Sequence, residues 1–406
     1  MLETSSMTNY GGRQGWSELP DDLLDDVYRR CVSSLSDRAR FASVCESWRA
    51  LTTQRHPAMR ALPLLLPSTG NGKHDRTARA YSLEDGRALC ASFRGFPWGK
   101  RLVGSYDGGW IAAATGARLF VSNLFSGARV ELSVTQRIIR CKCLTKRPRS
   151  SHAAGQISIR KIIFSKDPSS SGCIIAGITT RCKIALCRIG CPNYGWTTRE
   201  CETNTELMGI TFTNKELMDI TFCNSKLYGL TSNELLEFCM NENGALVVNL
   251  VRRMPGSATV VCIWKVHEKY IFELRGKLAI AVGFSPMIYS CRAQFFRVFE
   301  LTGWMREVTS LGDHALFLGS GCCKAVHVPM TGGQSMVEKN YIYYFKQHIC
   351  PDDDVECLKR LDLGSYNIYY GKSKGVDSSE RIRSWGYHHR HEDGSNGCIW
   401  VLPPDF

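Results

Sequence analysis

The chain has 406 residues, 44% of them hydrophobic, and a formal net charge of +13 from 51 Lys and Arg against 38 Asp and Glu. That length allows a large core and a second, small domain. The basic excess clusters only at Arg137 to Arg149 (RIIRCKCLTKRPR), where no aromatics interleave, so nucleic acid is not expected as a partner. No apolar run approaches the roughly 18 residues that a membrane span needs. Residues 1–15 (MLETSSMTNYGGRQG) are polar, unlike a secretory signal, and read as a disordered lead-in. The expected compartment is cytoplasm and/or nucleus. Nineteen cysteines occur without a C-x-x-C pair, which in such a compartment reads as reduced, mostly buried thiols. Cys182, Cys187, Cys191 and Cys201 lack zinc-finger spacing, and His388, His389 and His391 sit in a Gly/Ser-bounded stretch, so neither metal nor cofactor is expected.

Residues 16–55 form the first structural segment, and they read as helical. Pro20 suits a first helical turn, Asp21 and Asp22 follow it, and Arg29 and Arg30 close the helix, all in favour of the helix dipole. Leu19, Leu23 and Val27 recur every four residues. Ser36 reads as the cap of a second helix, with Asp37 in its first turn. Phe41, Val44, Cys45, Trp48 and Leu51 fall on one face at steps of three and four. Three helices in so few residues bury little alone, so their apolar faces call for a partner. With its ordered Leu19-Pro20, Val44-Cys45 and Trp48-Arg49 pairs, the segment resembles an F-box. That resemblance implies docking on a Skp-family adaptor, and through it a cullin-RING ubiquitin ligase, by Leu19, Pro20, Leu23, Leu24, Val27, Val44, Cys45 and Trp48.

Residues 60–406 read as short strands between turns. Strands are expected at Arg118 to Ser122, Ile157 to Phe164, Cys173 to Ile178, Lys226 to Leu230, Leu246 to Val251, Thr259 to Trp264, Tyr270 to Leu274, Lys277 to Val282, Phe295 to Leu301 and Tyr341 to Phe345. Arg137 to Arg149 reads as an exposed loop, because so many like charges cannot be buried unpaired. Within it, Lys146-Arg147-Pro148-Arg149 has the composition of a nuclear import signal. Glu206 to Lys215 and Glu216 to Ser225 match at seven of ten positions, a period that fits one strand and one turn. The resulting fold class is mainly β: a three-helix segment followed by a β-propeller. About 340 residues, at roughly 40–50 per blade, make about six to eight blades with the chain ends close together.

Motifs spread over residues 60–404 resemble those of plant F-box proteins with a divergent C-terminal β-propeller. They are Leu62 to Pro67, Gly104 with Gly109-Trp110, Asn123 with Gly127, Tyr270 to Glu273, Phe295 to Gly319, Asn340 to Phe345 and Ile399 to Pro403. Leu124 stands where that group usually has Pro. Trp110, Trp304 and Trp400 are expected to pack between sheets. The resemblance implies a substrate-recognition subunit of an SCF-type ligase that binds an unknown protein target. The alternative is a binding module that sequesters a protein such as a kinase, as relatives in brassinosteroid signalling do. Catalytic motifs such as G-x-S-x-G, H-E-x-x-H and Walker A are absent, and Asp352 to Glu356 reads as a solvated acidic run, so no enzyme is expected.

Overall fold

A computed structural model describes residues 15–32, 35–54, 62–67, 78–83, 87–91, 93–139, 157–180, 184–191, 195–199, 217–240, 246–254, 264–286, 295–328, 337–346, 362–367, 372–375 and 398–404. The chain divides into two compact units, one built on Met1–Ala61 and one on Leu62–Pro329 with Met336–Pro404. Most of the basic run, the first repeat copy, Cys182, Cys201, the histidine cluster and the acidic run lie outside the described residues. No helix among the described residues is long and apolar enough to cross a membrane.

The first unit holds α1 (Asp21–Cys31), α2 (Leu35–Ala42) and α3 (Glu46–Gln54), after a short 3-10 turn at Trp16–Glu18. Pro20 caps α1, where its missing N–H costs nothing. Arg29 and Arg30 reach back one turn to Asp25 (2.8 Å) and Asp26 (3.6 Å). The helix α2 begins one residue before Ser36, which therefore lies inside it rather than at its cap. A turn at Ser43 to Cys45 separates α2 from α3. The proposed single face is thus split over two helices, and Val44 falls on the turn.

The β unit contains six sheets among the described residues. The first orders β24 (Cys398–Val401), β1 (Leu64–Pro67), β2 (Ala78–Ser82) and β3 (Arg87–Ala91). The second is β4 (Arg101–Tyr106), β5 (Trp110–Thr115) and β6 (Arg118–Asn123). The third runs β7 (Ile159–Phe164), β8 (Ile174–Thr179), β9 (Ile184–Arg188) and β10 (Thr197–Arg199). The fourth runs β11 (Leu217–Cys223), β12 (Lys226–Thr231), β13 (Glu234–Met240) and β14 (Leu246–Arg253). The fifth runs β15 (Trp264–Leu274), β16 (Lys277–Pro286), β17 (Phe295–Thr302) and β18 (Trp304–Val308). The sixth combines β19 (His314–Leu318), β20 (Lys324–His327), β21 (Tyr341–Lys346), β22 (Asp362–Asn367) and β23 (Lys372–Gly375) in the order β20-β19-β21-β22-β23. In every sheet but the first and the sixth, sequential strands are antiparallel neighbours in chain order.

Apolar clusters join the sheets in cyclic order. One holds Leu66 and Trp400 of the first sheet with Ile111 of the second and Phe317 of the sixth. Others link second to third (Val103, Ile162), third to fourth (Ile178, Leu217), fourth to fifth (Leu230, Ile280) and fifth to sixth (Phe272, Leu316). Strands between two neighbours bury both faces, which explains unbroken apolar runs such as Trp110 to Ala114. Ring order also brings the ends of the unit together. β24 pairs antiparallel with β1, Leu65 opposite Trp400 and Pro67 opposite Cys398.

The turn motifs have local causes. Asn123 accepts hydrogen bonds at Oδ1 from the backbone N–H groups of Phe125 and Ser126, each at 3.0 Å, and donates from Nδ2 to the Gly108 carbonyl at 2.8 Å. The turn therefore closes without the usual Pro, and Leu124 is instead fully buried. Gly104 has a different reason: a Cβ there would stand 2.1 Å from the Ile162 carbonyl oxygen of the neighbouring sheet. Trp110 and Trp400 are buried as expected, but Trp304 is 84% exposed. It begins the outermost strand of its sheet, right after the Gly303 hairpin tip, where the neighbouring sheets do not cover it.

Candidate functional site

The helical unit sorts the eight candidate docking residues into three groups. Leu24 and Trp48 belong to its own core, with Tyr28, Phe41 and Leu51. Tyr28 meets Phe41 edge-on at 5.2 Å, and Phe41 packs on Trp48 at 4.2 Å between ring centres. The Trp48 indole N–H donates to the Trp16 carbonyl at 3.0 Å. Leu19, Val27 and Cys45 pack partly buried against that core. Pro20, Leu23 and Val44 face outward; Leu23 is 53% and Val44 52% exposed. Cys45 stands just ahead of α3 with its Sγ 3.0 Å from Ser47 Oγ. Hydrogen bonds from the Ser47 hydroxyl, then from the Trp48 backbone, hold its thiol below the ordinary range. Sequence reasoning missed Arg38, whose buried guanidinium donates to the Thr52 carbonyl at 3.1 Å and ties α2 to α3.

A second polar cluster, also missed, lies inside the β unit. Lys161 of β7 and Asp219 of β11 form an ion pair at 2.5 Å, with both side chains only 5% exposed. Asp219 also accepts from the backbone N–H groups of Ile220 (2.8 Å) and of Ile271 in β15 (3.0 Å). The Cys323 thiol, next to β20, has two acceptors within reach of its one proton, Asp219 at 3.6 Å and the Gly319 carbonyl at 3.3 Å. One carboxylate thus holds parts of the third, fourth, fifth and sixth sheets. Burial by itself would lower the Lys161 pKa, but the Asp219 charge, the Cys323 thiol and the Asp219 hydrogen bond outweigh it and hold the ammonium above its usual range. Burial pushes the Cys323 thiol up, more than the Lys161 charge pulls it down. Burial likewise raises Tyr270, which donates to Glu268. An ammonium, a thiol and a phenol all held protonated suit a pin between sheets better than a nucleophile. The signal for Asp219 was in the repeat: it is the one charged difference inside the strand, where the first copy carries Gly209.

Of the four spaced cysteines, Cys187 is buried and its thiol is pushed up to about 12 by burial first and Cys191 second. Among the described residues no His, Cys, Asp or Glu cluster has the arrangement of a metal centre.

No curated protein matches the sequence. Among solved structures, the chain is similar to the WD40 domain of SCAP from fission yeast, at 11% identity over 78% of this chain and 84% of that one, with a TM-score of 0.31. It is also similar to a quinonprotein alcohol dehydrogenase-like protein from Bacteroides thetaiotaomicron, at 8% identity over 79% and 73%, with a TM-score of 0.31. At such scores neither structure bears on what this chain does. The second to fifth sheets, most of the sixth and the turn glycines Gly104, Gly109 and Gly127 fall inside the stretch that a family model recognises, whereas β1 and β24 lie outside it. Residues 80–369, more than half of the chain, match the KIB1-4 beta-propeller model, and the chain belongs to that family.

Proposed function

We propose that the chain is the substrate-recognition subunit of an SCF-type, cullin-RING ubiquitin ligase. In this reading the helical unit is an F-box that docks a Skp-family adaptor, and the β-propeller binds the target protein. The carrying observation is that the helical unit completes its own core with Leu24, Tyr28, Phe41, Trp48 and Leu51 yet leaves Leu23 and Val44 outside. Exposed apolar side chains on so small a module suit a docking face. The chain itself has no catalytic part in this scheme. It raises the effective concentration of the target beside the ubiquitin-loaded enzyme, and partner subunits supply the chemistry. Cytoplasm or nucleus is the compartment this role requires.

The test is recovery of purified Skp-family adaptor on the full chain. Leu23→Asp with Val44→Asp should weaken it by about tenfold or more with the helical circular dichroism unchanged. Full recovery on that variant sinks the docking role. Trp48→Ala is the wrong probe alone, because it removes the core of the unit as well.

A second reading is a module that sequesters a protein, such as a kinase, without ubiquitin transfer. It is favoured by one observation: the family match at residues 80–369 covers most strands of the β unit and none of the three helices. Co-purification of the cullin with the full chain separates the two.

A further inference from the structure

Lys and Arg are divided unequally between the two units. The first unit, Met1–Ala61 with Met330–Ser335 and Asp405–Phe406, carries eight Arg and no Lys. All 18 lysines of the chain fall in the second unit, among 25 Arg. At that proportion several of the eight would be Lys. Local structure explains the choice at two of the five described positions. Arg38 is buried and reaches the Thr52 carbonyl with its guanidinium, and Arg49 donates from Nε to the Ala42 carbonyl at 3.3 Å. Arg29, Arg30 and Arg40 are different. Their side chains are 70%, 80% and 72% exposed, and each pairs with a carboxylate about one turn away, on Asp25, Asp26 and Asp37. Lysine serves such helical pairs equally well, so neither packing nor charge requires Arg there. What separates the two side chains is nucleophilicity. A lysine ε-amine, once deprotonated, attacks acyl carbon, whereas a guanidinium stays protonated and does not. Position adds to this. Leu23, Val27 and Arg30 recur at steps of four and three on α1, so a group attached at position 30 would stand on the face that exposes Leu23.

We infer that the helical unit is kept free of ubiquitin-acceptor amines, so that self-ubiquitination of the receptor is confined to lysines of the β unit. The inference rests on the receptor reading. In an assembled ligase, the thioester between the ubiquitin C-terminus and the cysteine of the conjugating enzyme is open to any amine in reach. The lysine nitrogen attacks the thioester carbonyl. The C–N isopeptide bond forms as the C–S bond breaks, the nitrogen gives up a proton, and the cysteine leaves and ends as a thiol. Arginine at the same place does not react. The receptor is thus tagged on its β unit while the adaptor stays docked, and no tag covers the docking face around Leu23.

The experiment uses the full chain reconstituted with Skp-family adaptor, cullin-RING complex, conjugating enzyme and ubiquitin. It compares the parent with Arg29→Lys/Arg30→Lys/Arg40→Lys and with Arg30→Lys alone. Arg306→Lys, exposed in the β unit, is the control. Before ubiquitin is added, every chain should recover the adaptor equally, because charge is conserved; if the triple variant does not, Arg30→Lys alone carries the comparison. Afterwards, mass spectrometry of the ubiquitin remnant should find β-unit lysines modified in every chain. The helical variants should carry it at position 29, 30 or 40 as well. Their adaptor recovery should then fall at least about twofold, with the parent and the control level. Failure of the parent to recover adaptor at the first step removes the receptor reading, and this inference with it. With the adaptor docked, the inference alone is overturned by β-unit remnants without any at the new positions, or by no remnant on any chain. Remnants at the new positions with the adaptor still held, or an equal loss in the control, overturn it too.

Discussion

Asp219 is the residue on which most of the sheets converge, and its replacement has a distinctive signature. Removing one partner of a buried ion pair leaves the other charge uncompensated, at a cost of roughly 3–5 kcal/mol. Asp219→Asn should therefore lower stability by that order in chemical denaturation while the fold survives. The pH dependence identifies the cause. In the parent, the raised Lys161 pKa contributes stability that is fully present below the ordinary lysine value and is lost as pH rises through the folded one. In Asp219→Asn the burial effect acts unopposed and depresses the folded pKa, so the penalty is relieved as pH rises. The gap between parent and variant should narrow on the alkaline side; a constant gap would assign the loss to packing instead. Buried thiols give the parent its own alkaline limit. Cys187 is raised to about 12 and Cys223 to about 11, both chiefly by burial, so the stability they add is complete below about pH 8.5 and lost above it. The melting temperature should be level up to that pH and fall beyond it, and a plateau extending past pH 11 would contradict the burial. At this scale the sequence was partly legible. Trp110 and Trp400 read correctly because apolar strands surround them, whereas Trp304 did not, since sequence alone does not say which strand is outermost.

Elements were more legible than residues. Strand positions such as Lys226–Thr231, Phe295–Thr302 and Tyr341–Lys346 follow from apolar runs ended by turn formers. Of the two repeat copies, the second supplies β11; the first lies outside the described residues. The helical segment was legible in outline, but its faces were not. A period of three to four passes through the Ser43–Cys45 turn without marking it, so Val44 was grouped with residues that are in fact interior. Pairing partners far apart in sequence leave no local trace at all. The β1–β24 contact is an example, and it offers a test. Trp400 is buried, meets Phe317 at 5.1 Å between ring centres and donates its indole N–H to the Leu318 carbonyl at 3.0 Å. Trp400→Ala should cost about 3–5 kcal/mol in the denaturation midpoint of the β unit, although it lies within the last few residues of the chain. A loss under about 1 kcal/mol would mean that closure adds little beyond ordinary surface contacts.

For the whole molecule, the mainly β class was legible from strand density, and the six sheets among the described residues fall at the low end of the expected range. The buried ion pair was not, because it depends on strands brought together only by the packing of the sheets. Joining the first strand to the last also has a consequence for biosynthesis. β1 emerges from the ribosome early, but its neighbour β24 is made about 340 residues later, on the order of 20–70 s at typical elongation rates. During that interval the opening strand has one bare edge, and the apolar faces of the first and sixth sheets lack Trp400 between them. The nascent β unit should therefore bind chaperones throughout that interval, and a stop ahead of β24 should yield a chain that is degraded rather than one that is merely shortened.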